Sequence, residues 1–417
     1  MDIIAIANNS QSIANICDAV SADRVSTSPM SANDNDHRSL LPAGLGDLLP
    51  PDAAREARAI DTAIERFAAF GYERVKPPLV EFEESLLGGP GAALASQTFR
   101  LMDPVSQRMM GVRPDMTVQV ARIAVTRLRN EPRPLRLSYG GNVIRVRGGA
   151  LKPERQFAQV GTELIGVDTA EADAEAVLLA VDALRAIGVG DLSVDLNLPT
   201  LVAAVASGLG LPAETLRRLR RALDRKDEGG VAKALREDGK ASEVFLGLQR
   251  SAGPAETAIA RLKALALPAA AAAEATRLAE VVTLIRAADG DLPLTLDPVE
   301  YRGLEYQTGV SFSVFALSGR QELARGGRYS AGYPEDGVSE PSTGFTLYMD
   351  AVLQASEPPP PRPRLFLPAG TPWRDAAPWQ VKGYAVIRGV TAIPDVRAEA
   401  RRLLCSHALV DGEAVPL

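Results

Sequence analysis

The sequence predicts an α+β fold built on a mostly antiparallel sheet. Two observations carry this. Strand-like segments with period-two alternation, such as LSVDLNLP and residues 308–316, occur in separate runs. Long helical phrases lie between those runs and do not alternate one-for-one with strands, as they would in a parallel βαβ architecture.

Composition sets the frame. The chain has 417 residues, 46% of them hydrophobic and 24% charged, with a net charge of −6. A length prior of about 150 residues per domain allows two or three domains, and such a chain buries enough core to need no disulfide or metal staple. The balance gives no general basic field for nucleic acid. The only histidines are His37 and His407, which leaves little room for histidine catalysis or a His/Cys zinc site. Cys17 and Cys405 lie near opposite ends, so no structural disulfide is expected and a reducing cytoplasm fits. No apolar run reaches the length of a membrane span, and the N-terminus does not read as a secretory signal.

Residues 1–39 are small and polar and read as a disordered tail. Met30 is an alternative start, which the intact mass of the native protein tests. From Leu41, a helical phrase opens after Pro50 and Pro51. Ile60, Ile64, Phe67 and Phe70 recur on one face, and Gly71 stands where a left-handed cap is favoured. YERVKPPLVEF is extended, because a residue before proline avoids the helical region. Residues 135–147 and 156–166 read as two strands joined by a turn at Gly148 and Gly149. Residues 171–187 form an amphipathic helix with Val177, Leu178, Val181, Leu184 and Ile187 on one side and Gly188 beyond its end. Residues 199–287 are Ala-, Leu- and Arg-rich and read as an inserted helical subdomain. Strands resume at 292–297 and 308–316. In the second, Val310, Phe312 and Val314 alternate with Gly309, Ser311 and Ser313, which predicts one buried face. The expected organisation is a core of residues 40–198 and 288–355, the insertion, a Pro-rich linker at 356–364 and a short C-terminal segment, 365–417.

Several segments carry residues suited to a free amino acid, which presents an ammonium, a carboxylate and a side chain. Asp115 and Thr117 lie in RPDMTVQVARI. An acid there can pair an ammonium that is costly to bury alone, or cap a helix running through Val118, Ala121 and Val125. Gln159 and Glu163 in RQFAQVGTELIG share one strand face with Gly161. That face either meets a ligand closely or is solvated. Arg302 in YRGLEYQTG suits bidentate carboxylate recognition, or a surface hairpin ion pair. In RGGRY, Tyr329 follows a glycine pair that by itself marks a turn. The run LRRLRRALDRK carries Arg217, Arg218, Arg220 and Arg221 around a helix with Leu216, Leu219 and Leu223 on its apolar side. It fits a solvated or subunit-contacting face better than a nucleic-acid contact, because no aromatic residues interleave.

Taken in order, RPDMTVQ, the block ending ERQFAQVGTELIG, VEYRGLEYQTG and RGGRY resemble the amino-acid pocket of histidyl-tRNA synthetases. STGFTLYMDAVL resembles the helix where those enzymes carry an ATP-gripping arginine, whose place is taken here by Ala351. A kept pocket without that arginine is similar to the regulatory subunits of ATP phosphoribosyltransferase. The resemblance covers roughly residues 41–355. It implies a class II aminoacyl-tRNA synthetase-like antiparallel sheet flanked by helices, and a dimer interface at the first helix and the strand around Pro78. It implies a histidine site of Asp115, Thr117, Gln159, Glu163, Arg302, Tyr306 and Tyr329, with Arg145 and Arg155 as anion or nucleotide contacts. Gln307 stands where the synthetase pattern has a second tyrosine toward the imidazole. The 53 residues after the linker are short for a tRNA-reading domain, which argues against tRNA as a partner.

The implied function is non-catalytic, with no cofactor and no metal. The chain would activate a short-form ATP phosphoribosyltransferase catalytic subunit, with L-histidine as effector, as a homodimer within a larger hetero-oligomer. A divergent histidyl-tRNA synthetase and an orphan histidine-binding paralogue are the alternatives.

Overall fold

Nine strands form one sheet in the computed structural model, which describes residues 40–149, 153–235, 238–300, 307–317, 321–333 and 337–417. Their order is Glu73–Arg74, Leu135–Ile144, Gln156–Ile165, Val338–Tyr348, Glu322–Tyr333, Gln307–Ala316, Leu192–Asn197, Leu294–Asp297, Gly253–Pro254. Pairing is antiparallel throughout the middle of the sheet and parallel only where Glu73–Arg74 meets Leu135–Ile144 and Leu192–Asn197 meets Leu294–Asp297. The expected mixed architecture with a predominantly antiparallel sheet is therefore observed. The leading unit ends at Gly46, and the rest, Asp47–Leu417, forms a second unit. The tail expected at 1–39 lies outside the described residues.

Helix Asp52–Ala69 runs as the sequence predicts, and Gly71 takes a positive φ of 80° after it. Its buried stripe differs from the expected one. Ala59, Ala63 and Phe67 are buried, Ile60 and Ile64 pack partly, and Phe70 is exposed. Small residues let the helix lie close to the sheet, and Phe70 falls beyond the last turn. Phe67 meets Phe345 edge-on at 5.6 Å, which ties the helix to the middle of the sheet.

Helix Ala170–Ile187 is more buried than an amphipathic reading allows. Thr169 caps it by accepting from Ala172 N, and Gly188 ends it at φ 100°. Val177, Val181 and Leu184 are buried, and so are Ala172, Ala174, Ala176, Ala180 and Ala183 on its other sides. The alanines admit close neighbours: helices Asp52–Ala69 and Ala269–Ala288 both pack against it. Each fully buried Val or Leu contributes roughly 1.5–3 kcal/mol.

The stretch 199–287 is mostly helical, as expected, and includes Leu201–Gly208, Ala213–Asp224, Gly239–Arg250 and Ala269–Ala288. Among the described residues it shares the core of the sheet. Leu219, Phe245, Leu278 and Ile285 belong to the same apolar cluster as Val194, Phe312 and Leu347 of the sheet. Strand Gly253–Pro254 also edges the sheet from inside this stretch.

The strand expected at 308–316 is present, but both of its faces are buried. Ser311 and Ser313 are 3% and 1% exposed. Ser311 Oγ donates to Asn197 and Ser313 Oγ to Glu322. Hydrogen bonding explains how a polar face is tolerated inside.

Two smaller sheets complete the fold. Val80–Phe82, Met109–Val112 and Phe99–Met102 form one. Residues 364–417 form a four-stranded sheet ordered Ala385–Arg388, Arg364–Leu367, His407–Val410, Glu413–Pro416, packed around Phe366, Ala400, Cys405 and Ala408. The short C-terminal segment thus has its own layered structure.

Candidate functional site

Register across the middle strands sets up the site. Tyr139 pairs with Gly161 and Gly161 with Thr346, while Glu163 pairs with Gly344 and Gly344 with Gly327. Two rows of residues thus cross the sheet with glycine at their centres. The Tyr139 hydroxyl reaches over Gly161 to Thr346 Oγ1 at 2.8 Å. A Cβ at Gly161 would stand 2.5 Å from the Tyr139 hydroxyl and 2.2 Å from Phe345 O. A Cβ at Gly344 would stand 2.1 Å from Glu163 Oε2. Glycine is required at both places for close approach.

Glu163 lies at the centre, 1% exposed. Tyr329 Oη donates to its Oε2 at 2.9 Å, and Tyr139 Oη to its Oε1 at 3.2 Å. Burial pushes the Glu163 carboxyl up to about 8. Hydrogen bonds from Tyr329, Thr117 and Tyr139 oppose the rise, and the negative charge of Asp115 adds to it. Burial also holds the Tyr139 phenol well above its ordinary range.

Asp115 stands just before helix Thr117–Thr126. Its Oδ1 accepts from Thr117 N and its Oδ2 from Gln159 Nε2, both at 2.9 Å. Gln159 Oε1 accepts from Met116 N at 3.1 Å. The acid therefore steadies the helix start and still faces a cavity. Arg113 fixes the preceding turn from a buried position, donating to Asn142 O at 2.8 Å and Pro77 O at 3.0 Å.

Several of these groups line a cavity of about 270 Å³. This lies below the roughly 300–1,000 Å³ of drug-sized sites and suits a smaller molecule. Asp115, Thr117, Glu163, Tyr329 and Arg145 line it, as do Gln307 and Arg325. Gln307 is nearly buried and donates to Gly326 O at 3.3 Å. Larger clefts exist, including one of about 1,090 Å³ beside helix Ala170–Ile187 and one of about 420 Å³ lined by Asp168, Glu274, Arg277 and Arg328; the 270 Å³ cavity is the one that gathers Asp115, Thr117, Glu163 and Tyr329, with the Glu163 carboxyl shifted by burial.

Three sequence expectations are met differently. Gln159 is fully buried behind Asp115 and orients it without lining the cavity. The solvated strand face considered for Gln159 and Glu163 is absent, because both are buried. Arg155 is not a lining residue: its Nε donates to Arg145 O at 3.1 Å and its guanidinium lies over Phe99. Arg302 and Tyr306 fall outside the described residues. Arg145 does line the cavity, with Nε donating to Pro114 O at 3.3 Å and its guanidinium 5.0 Å over Phe157.

Sequence reasoning missed Tyr139, Thr346 and Tyr348. The strand around Tyr139 was legible, but only register shows that its hydroxyl crosses a glycine to reach Glu163. Tyr348 lines the cavity, and burial pushes its phenol up to about 12 although Arg325 and Arg145 pull it down. Ala351, in helix Met349–Ala355, is buried in the main core and offers the cavity no charge.

Residues 44–352 match the family model described as histidyl-tRNA synthetase. The chain is 54% identical over 373 residues to the ATP phosphoribosyltransferase regulatory subunit of Rhodospirillum centenum, covering 89% of this chain and 95% of that one. It is 53% identical to the subunit of the same name from Paramagnetospirillum magneticum, covering 89% and 96%. The chain belongs to the ATP phosphoribosyltransferase regulatory subunit family. The crystal structure of an ATP phosphoribosyltransferase regulatory subunit/histidyl-tRNA synthetase from Bacillus halodurans superposes with a TM-score of 0.75 at 24% identity, covering 87% of this chain and 96% of that one. That likeness shows the fold. In this regulatory subunit family member the synthetase-like sheet, the glycine rows and the Glu163 cluster form one continuous arrangement.

Proposed function

We propose that this chain is a non-catalytic regulatory subunit that binds L-histidine in the Glu163 cavity and controls a short-form ATP phosphoribosyltransferase catalytic chain. It activates that chain and conveys feedback inhibition by histidine at the first step of histidine biosynthesis. One observation carries the reading: a polar cavity of about 270 Å³ stands around Glu163, while Ala351 stands where the resembled synthetases carry an arginine.

In this reading Asp115 and Thr117 take the α-ammonium, with Gln159 holding Asp115 in place. Glu163 and Tyr329 take the imidazole, and Arg302 with Tyr306 completes the carboxylate end. Gln307 replaces a tyrosine yet offers both a donor and an acceptor to a ring nitrogen. Arg145 supplies a cation to an anionic group. Adenylyl transfer needs fixed cations opposite the phosphates, and the short side chain of Ala351 supplies none, so histidine binds without being activated. The working form is a homodimer within a cytoplasmic hetero-oligomer, and histidine acts through a coupling free energy of typically about 1–3 kcal/mol.

The test is phosphoribosyl-ATP formation by the short catalytic chain of the same genome, with and without this chain and with and without L-histidine. Stimulation that histidine reverses is the expected result. No stimulation of a competent catalytic chain overturns the reading. Histidine-dependent ATP–pyrophosphate exchange at a synthetase-like rate overturns its non-catalytic part.

A further inference from the structure

Away from the Glu163 cavity, a groove of about 700 Å³ opens between helices Ala213–Asp224 and Glu228–Ala234. Leu211 and Leu235 contribute to an aliphatic lining, and Arg218, Arg221, Arg225 and Lys233 supply cations. Helix Ala213–Asp224 buries Leu219, Ala222 and Leu223 and turns its arginines outward. The two acids of the groove are engaged as helix caps: Asp227 accepts from Gly230 N and Asp238 from Ala241 N, each at 2.9 Å. Arg218 shares Glu214 with Arg217. Among the described residues, Arg221, Arg225 and Lys233 make no hydrogen bond or ion pair. Four cations against two acids give the groove an excess of positive charge, in a chain whose net charge is −6.

We propose that this groove docks an acidic, aliphatic-containing segment of the catalytic chain, an inference that rests on the regulatory reading above. The shape of the charge selects the occupant. Arg218 to Arg225 spans about 10 Å of helix axis at 1.5 Å per residue. A single phosphate or carboxylate is held by donors converging on one point, whereas a row of cations matches an elongated anion. Among the described residues no aromatic side chain lines the groove, so it lacks the stacking platforms that single-stranded nucleic acid uses. A lining that joins leucines to cations fits a polypeptide whose acids meet the arginines and whose apolar side chains meet the leucines.

The experiment compares the full chain with an R221E/R225E/K233E variant. All three side chains are exposed, so the fold is expected to survive, as thermal unfolding would show. Affinity for the catalytic chain is read by sedimentation at low and high salt. For the unaltered chain, affinity is expected to fall as salt screens the groove. The variant is expected to bind roughly ten-fold or more weakly at low salt, with a flattened salt dependence. Unchanged association by the variant overturns this proposal alone. No association by the unaltered chain overturns it together with the regulatory reading. An RNA oligonucleotide whose binding the variant loses, while association with the catalytic chain is kept, overturns it in favour of nucleic acid.

Discussion

Replacing Glu163 by glutamine tests the electrostatics of the cavity directly. The folded chain holds a proton on this carboxyl up to about pH 8, against an ordinary value of 4.5. At 1.36 kcal/mol per pH unit, that difference corresponds to roughly 4–5 kcal/mol. Its sign follows from which state binds the proton. Between pH 4.5 and 8 the folded state carries it and the unfolded state does not, so stability falls as pH rises through that window and levels off above it. Glutamine is similar in shape and does not ionise, so the variant lacks this loss. Urea unfolding of both proteins at pH 5, 7 and 9 reads the effect. Other titrating groups cancel in the difference between them. Far-UV circular dichroism is the suitable signal, because both tryptophans, Trp373 and Trp379, lie in the C-terminal segment. The variant is expected to gain stability relative to the unaltered chain by roughly 3–5 kcal/mol between pH 5 and pH 9. A difference that stays flat across this range would mean that Glu163 ionises like a surface carboxylate, and the argument from burial would fail.

Other outcomes follow from the same geometry. Gly344→Ala forces a Cβ to 2.1 Å from Glu163 Oε2 and 2.3 Å from Thr162 O; a loss of about 1–3 kcal/mol or more is expected in thermal unfolding, and an unshifted midpoint would contradict the close approach. Gln159→Ala leaves Asp115 Oδ2 and Met116 N without their partner; calorimetry with L-histidine should show roughly ten-fold weaker binding, in line with one or two lost hydrogen bonds. Asp173→Asn breaks the buried pair in which Arg328 donates to Asp173 at 3.0 Å; a cost of about 3–5 kcal/mol is expected, and a loss under about 1 kcal/mol would show the pair to be solvated. Thr169→Ala removes the cap of helix Ala170–Ile187 and should cost about 1 kcal/mol.

Sequence pattern reached the strands and long helices because period and punctuation are local. Gly71 and Gly188 mark helix ends by the backbone they permit, and both are found there with positive φ. Asp115, Thr117, Glu163 and Tyr329 were legible because each sits in a block with a recognisable neighbourhood, and the structure gathers all four around one cavity. What remained hidden depends on pairing between distant strands. Tyr139 and Thr346 are 207 residues apart and meet only because both strands flank Gly161. The burial of Ser311 and Ser313 was likewise invisible, since alternation of small polar and apolar residues ordinarily signals a wet face. The alanines of helix Ala170–Ile187 carry no strong period of their own, so its packing on several sides showed only once neighbouring helices were in place.

The glycine rows also bear on how this scaffold can change over time. Gly326, Gly327 and Gly344 line the cavity with main chain alone, and a side chain at any of them would meet neighbouring atoms at under 3 Å. Substitution there can close the chamber but cannot reshape it by degrees. Novelty must enter through the rim, at positions such as Gln307, Arg325 and Tyr348, or through groups outside the chamber such as Ala351. A lineage can therefore lose or acquire a chemistry while the chamber keeps its dimensions, and a catalyst and a sensor can descend from one mould.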